Sequence, residues 1–205
     1  MARIFRLDAS LKNDPLESEI SNQGMLQIKS SRRTIERSLT LDRICALCFS
    51  RDASRTRANL SDARKVRRIL LSFIDQVYAD VRTPNHDHGL FHLRTCLPTD
   101  AFDGGRWHVD GTYFENPSGR TVLKYGMTLV GPPTLLKISE KNGGGGGRVR
   151  AVQPGNDEGY RWVVGETLHS EPPTHSSRIF CALLPCSKRE CAQIWPEEKR
   201  IEFNV

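Results

Sequence analysis

The segment Arg106-Trp107-His108-Val109-Asp110 sets a histidine and an aspartate two positions apart. On an extended backbone alternate side chains share a face, so one imidazole and one carboxylate would point the same way. That supplies two of the three ligands of a facial site built from two histidines and a carboxylate, which leaves coordination positions open for reactants. The third ligand must come from elsewhere in the chain. His-x-Asp alone is common, so the surrounding pattern has to carry the assignment.

Two histidines follow in a suitable region, His169 and His175, around Pro172-Pro173. Arg178 helps to separate them, because its planar fork meets a carboxylate in bidentate fashion and so suits a fixed anion-binding role. A histidine at the end of one strand and an arginine nine residues later, at the start of the next, can face one cavity across the connecting turn. His169 and Arg178 have that spacing. His175 stands only three residues before Arg178 and reads as a loop histidine. His86-Asp87-His88 also has alternate spacing, but it follows Pro84-Asn85 and reads as a surface loop.

These residues need elements to hold them. After Thr83-Pro84-Asn85 the text becomes strand-like, with runs at Leu90 to Leu97, Lys124 to Val130, Thr134 to Ile138, Arg148 to Val152, Tyr160 to Val164 and Arg178 to Leu184. Gly, Pro, Asn and Asp clusters separate the runs, and no helical pattern interrupts them, which favours a sandwich or rolled barrel over a parallel α/β sheet. A last strand is expected at Arg200 to Phe203. Trp107 and Trp162 read as strand core residues. The glycine run Gly143 to Gly147 lacks a following Lys-Ser or Lys-Thr and reads as a loop between strands rather than a phosphate cradle.

Upstream, Ser61-Asp62 offers an N-cap, and Val66, Ile69, Leu70, Phe73, Ile74, Val77 and Val81 recur at intervals of three and four. This predicts an amphipathic helix from about Asp62 to Val81 that buries its stripe against the sheet. Thr34 to Cys48 predicts a short helix with Thr40 as an internal cap. Met1 to about Arg33 is polar and aperiodic and reads as a loose tail. The expected division is therefore a basic, partly disordered extension over 1–60 and a helix-plus-sheet domain over 61–205.

Composition narrows the function classes. In 205 residues, 38% hydrophobic and 26% charged content is that of a soluble globular protein with room for a sizeable core. No apolar run approaches the roughly 20 residues of a membrane span, and the charged N-terminus does not resemble a secretory signal, so no membrane partner and an intracellular, cytoplasmic or nuclear, location are expected. Six cysteines then read as reduced thiols, with Cys45 and Cys48 as buried helix residues because no second Cys/His pair follows to complete a zinc site. Residues 1–68 hold 15 Lys/Arg against 8 Asp/Glu, whereas residues 69–205 hold 15 against 16. The basic N-terminal third could meet nucleic acid or an acidic partner, although no aromatic residues are interleaved among its arginines.

From Leu90 to Pro185 the sequence resembles the Fe(II)/2-oxoglutarate-dependent oxygenase superfamily, which includes prolyl hydroxylases and nucleic-acid demethylases. The resemblance lies in His108-Val109-Asp110, the segment Tyr125 to Leu136, then His169 and Arg178, in that order. His169 follows His108 by 61 positions, enough for several intervening strands. The resemblance implies a mainly β fold with N-terminal helices, a double-stranded β-helix (jelly roll, cupin-like) carrying one or two packing helices. It implies that His108, Asp110 and His169 bind Fe(II), that Arg178 holds the C5 carboxylate of 2-oxoglutarate, and that Tyr125 adds a hydrogen bond to it. Ascorbate is a possible accessory. The implied activity is a dioxygenase that hydroxylates or demethylates a substrate which the sequence leaves open between protein, nucleic acid and small molecule. Two other readings remain: a non-catalytic jelly-roll binding module, and a metal-dependent cupin enzyme that does not use 2-oxoglutarate.

Overall fold

The computed structural model describes residues 2–6, 14–49, 56–81, 85–99, 106–140, 148–156, 158–172 and 175–194. In chain order the elements are β1 (Arg3–Arg6), β2 (Gly24–Ser31), α1 (Arg32–Ser38), α2 (Leu41–Cys48), α3 (Arg57–Val81), β3 (His88–Cys96), β4 (Arg106–His108), β5 (Leu123–Val130), β6 (Leu135–Glu140), β7 (Arg148–Val152), β8 (Glu158–Val163), β9 (His169–Glu171), β10 (Arg178–Cys186) and α4 (Lys188–Gln193).

The strands form two antiparallel sheets. A six-stranded sheet has the order β1-β8-β5-β10-β3-β2, and a four-stranded sheet has the order β4-β9-β6-β7. Between β3 and β10 the chain alternates between them, β3, β5, β8 and β10 in one and β4, β6, β7 and β9 in the other. This interleaving is the eight-stranded double-stranded β-helix that the sequence led us to expect. β1 and β2 are additions at the two edges of the larger sheet. They come from the stretch read as a loose tail: β2 pairs with β3 along its whole length, from Gly24 opposite Thr95 to Ser31 opposite His88. Met25 is 53% exposed and Ile28 buried, so this edge strand shows too few core residues for its period to be read.

Helices α1, α2 and α3 cover the outer face of the larger sheet. Phe73, Ile74 and Val77 of α3 are buried with Phe91, Tyr125, Met127 and Leu183 in one core. The helix starts five residues before the expected N-cap, at Arg57. Asp62 lies inside it, fully buried, and its carboxylate accepts hydrogen bonds from the backbone of Glu17 (2.9 Å) and Ser18 (2.6 Å). The carboxylate thus ties an upstream segment to the helix instead of capping it. Residues 34–48 form two helices, not one, because the Thr40 side chain caps α2 by accepting from the Arg43 backbone. Cys45 and Cys48 are buried free thiols of α2. No described helix is long and apolar enough to cross a membrane. Gly143–Gly147 and the strand expected at 200–203 lie outside the described residues.

Candidate metal centre and anion pocket

Register places the two histidines. β4 and β9 pair antiparallel with His108 directly opposite His169, and directly opposed side chains stand on one face. Their rings lie 4.3 Å apart, centroid to centroid. Asp110, two residues beyond His108, reaches the same spot. One ligand atom from each of His108, Asp110 and His169 lies within 4.8 Å of the others, so this set could hold a metal ion. His169 is buried, Asp110 is partly buried, and His108 is exposed and leaves one side of the cluster open.

The surroundings orient two of these groups. The His169 Nδ1 lies 3.1 Å from the carbonyl oxygen of Thr167, which can only accept, so Nδ1 carries the proton. The lone pair is then on Nε2, which lies 3.8 Å from Asp110 Oδ1. Burial pushes the His169 pKa down, against the pull of Asp110, and keeps the ring neutral as a ligand requires. The Asp110 carboxylate accepts four hydrogen bonds from three groups: the Trp162 indole N–H to Oδ2 at 2.7 Å, the Tyr113 hydroxyl to Oδ1 at 3.2 Å, and the Lys124 ammonium to both oxygens at 3.2 and 3.3 Å. Burial would raise its pKa, but Lys124, His169 and these hydrogen bonds outweigh that and hold it below the ordinary value.

Lys124, Gly126 and Thr128 point into the barrel from β5, whereas Tyr125, Met127 and Leu129 face the helices. This parity decides the fate of Tyr125. Its hydroxyl donates to Asp80 of α3 at 2.8 Å, on the outside of the sheet. The co-substrate contact expected of Tyr125 therefore does not occur, because a strand residue one position off the inner set faces the opposite side. Tyr160 of β8 is the barrel tyrosine instead. Its ring stacks on Trp162 at 5.7 Å, and a Cβ at Gly126 would meet both rings at 2.9 Å, so glycine lets them close on the strand.

Arg178 opens β10 and turns inward, 3% exposed. Its Nη2 donates to Thr134 Oγ1 at 2.8 Å and approaches Thr128 Oγ1 at 3.5 Å. Its guanidinium lies 4.7 Å over the Phe180 ring. Among the described residues no carboxylate is within ion-pair distance of it, and its Nε is buried with no hydrogen-bond partner. The Tyr160 hydroxyl, beside Thr128 and Thr134, is likewise buried without a partner of hydrogen-bond geometry, and burial pushes its pKa up to about 12. A buried cation with unspent donors is costly, and a carboxylate would satisfy it. The donor set fits one end of a dicarboxylate. The other end would lie toward the histidines: along β5, Lys124 at the Asp110 end and Thr128 at the Arg178 end are four residues, about 13 Å, apart.

His175 is exposed and stands apart from the cluster, as its position predicts. His88 pairs with Asp87 at 2.7 Å, and His86 faces Glu190 at 3.7 Å. His92, by contrast, points into the barrel from β3 with its Nε2 buried and unpartnered, and burial drives its pKa down to about 3. Lys124, Thr128, Thr134 and Tyr160 had not been singled out from sequence, although Lys124, Gly126 and Thr128 share the period-2 positions that Tyr125 lacks.

No protein-family model matches the sequence, and no curated protein matches it. Solved structures similar to this chain include a prolyl-4-hydroxylase from Pseudomonas putida, at 14% identity and a TM-score of 0.37, covering 81% of this chain and 94% of that one. A Trichoplax adhaerens prolyl hydroxylase in complex with a hypoxia inducible factor peptide fragment is 12% identical, with a TM-score of 0.36, covering 82% and 86%. A rice dioxygenase for auxin oxidation is 10% identical with a TM-score of 0.38, and the match spans 93% of this chain but 64% of that protein. The fold assignment rests on strand order: this chain has the double-stranded β-helix, the fold of the oxygenase superfamily its residues resemble.

Proposed function

We propose that the protein is an Fe(II)- and 2-oxoglutarate-dependent dioxygenase. The observation that supports this most is the pairing, inside one barrel, of the His108-Asp110-His169 cluster with a buried arginine that lacks a carboxylate. Iron held by these three side chains would supply oxygen activation, coupled to decarboxylation of 2-oxoglutarate to succinate and carbon dioxide, for oxidation of a substrate C–H bond.

The chain's own residues do the positioning. Arg178, Thr128, Thr134 and Tyr160 bind and orient the far carboxylate of the co-substrate. The Thr167 carbonyl fixes the His169 tautomer, and Trp162 and Tyr113 hold the Asp110 carboxylate in place. The exposed His108 side is where a substrate would approach. The basic N-terminal third gives a second surface, at which nucleic acid or an acidic protein could be held.

The test needs no primary substrate. Purified protein with Fe(II) and ascorbate should convert 2-oxoglutarate to succinate slowly, and His108→Ala or Asp110→Ala should stop it. Protein that binds Fe(II) but leaves 2-oxoglutarate untouched would favour a metal-dependent cupin enzyme. Protein that binds neither would favour a binding module.

A further inference from the structure

The Lys124 ammonium sits on a carboxylate that the proposed centre requires. It donates to both Asp110 oxygens at 3.2 and 3.3 Å and to the Tyr113 hydroxyl at 2.5 Å. The rings of Tyr113 and Trp162 flank it at 5.0 and 5.4 Å. Its side chain is 12% exposed, so this is a built contact and not a passing surface pair. The oxygen it shares, Asp110 Oδ1, is the one that faces His169 Nε2 at 3.8 Å.

We propose that Lys124 holds down the affinity of the centre for a divalent metal, so that the metal binds weakly alone and needs an anionic partner to bind tightly. This rests on the metal and 2-oxoglutarate reading above. The argument is one of charge. A cluster of two neutral imidazoles and one carboxylate offers a divalent cation one counter-charge, and here the ammonium cancels it. Elsewhere around the barrel, Glu171 is paired with Arg94 at 3.1 Å, and Asp80 is on the outer face with Tyr125 and Arg161. A divalent ion entering alone thus meets no net negative charge from Asp110 and Lys124 together, and repulsion at this range is strong where water is excluded.

A dicarboxylate changes that balance. Arg178 neutralises its far end, and its near carboxylate restores the counter-charge taken up by Lys124. Because linkage is reciprocal, the factor by which the diacid tightens the metal equals the factor by which the metal tightens the diacid. The consequence is a centre that fills when both components are present.

The experiment is calorimetric titration of the full chain with Mn(II), alone and with saturating 2-oxoglutarate, for wild type, Lys124→Gln and Lys124→Arg. In wild type the co-substrate should tighten Mn(II) binding by about tenfold or more, within the usual range of coupling between sites. Lys124→Gln keeps a donor but loses the charge. It should bind Mn(II) about tenfold more tightly than wild type, alone and with 2-oxoglutarate alike, while Lys124→Arg should resemble wild type. If Lys124→Gln does not fold by its thermal melt, Lys124→Met, with a stem of similar length and no charge, is read the same way. Mn(II) affinity in the neutral variant that is equal to or weaker than wild type overturns the role of Lys124 and leaves the metal centre standing. Wild type that takes up no Mn(II) under either condition overturns both.

Discussion

Arg178 is where one side chain separates the possible activities. Its guanidinium is fixed by Thr134 and stacked on Phe180, with Nε unspent, so a bidentate partner is what the pocket lacks. Arg178→Lys puts a point charge where a planar fork stood and should weaken 2-oxoglutarate binding at least about tenfold, with Mn(II) affinity unchanged. Calorimetry of both ligands on one preparation checks this, and equal 2-oxoglutarate affinities would remove the role. The same scale explains why Tyr125 and Tyr160 exchange places. Both are buried strand tyrosines, and only the parity of their strands decides that one hydroxyl meets Asp80 and the other faces Arg178.

At the level of elements, two polar devices hold structure that hydrophobic periodicity does not. Asp62 accepts two backbone N–H groups of residues 17 and 18 from within α3, so Asp62→Ala leaves both donors unpaired. A loss of about 1–3 kcal/mol in denaturant unfolding is expected. The second is α4, whose N-terminus is a capping box: Ser187 and Glu190 exchange side-chain and backbone hydrogen bonds, and Arg120 pairs with Glu190 at 2.7 Å. Burial alone would raise the Glu190 pKa, but the Ser187 backbone N–H and Arg120 outweigh it and hold it below the ordinary 4.5. A carboxyl lowered in the folded state adds stability that is present above its unfolded pKa and is lost as pH falls through the folded one. Thermal melts across pH should therefore show wild type more stable than Glu190→Gln at neutral pH, by about 1 kcal/mol, with the gap closing below about pH 4.5.

For the whole molecule, the cluster joins β4 to β9 in the smaller sheet and reaches β5 and β8 of the larger one through Asp110. A ligand of that cluster binds the folded chain only, so it must stabilise the fold by mass action, about 2.7 kcal/mol at a hundred times its dissociation constant. Mn(II) with 2-oxoglutarate should raise the melting temperature of wild type and leave His169→Ala unmoved. A shift of equal size in that variant would mean that the ions bind elsewhere.

The sequence alone determined what local pattern can determine. Period 2 after Pro84 marked the long strands, and period 3.6 marked α3, because each of these buries one face and writes that burial into its spacing. Order and spacing also singled out His108, Asp110, His169 and Arg178 as residues to bring together. Only tertiary structure decided the rest. β1, β2, β4 and β9 are short or edge strands, with too little one-sided burial to show a period. The facing of His108 and His169 is a register between strands 61 positions apart, which no local signal encodes. The Lys124 contact with Asp110 and the unpartnered Tyr160 hydroxyl beside Thr128 and Thr134 arise from side chains that meet across a closed barrel. A lysine and a tyrosine in a strand read as ordinary residues until closure takes away their water.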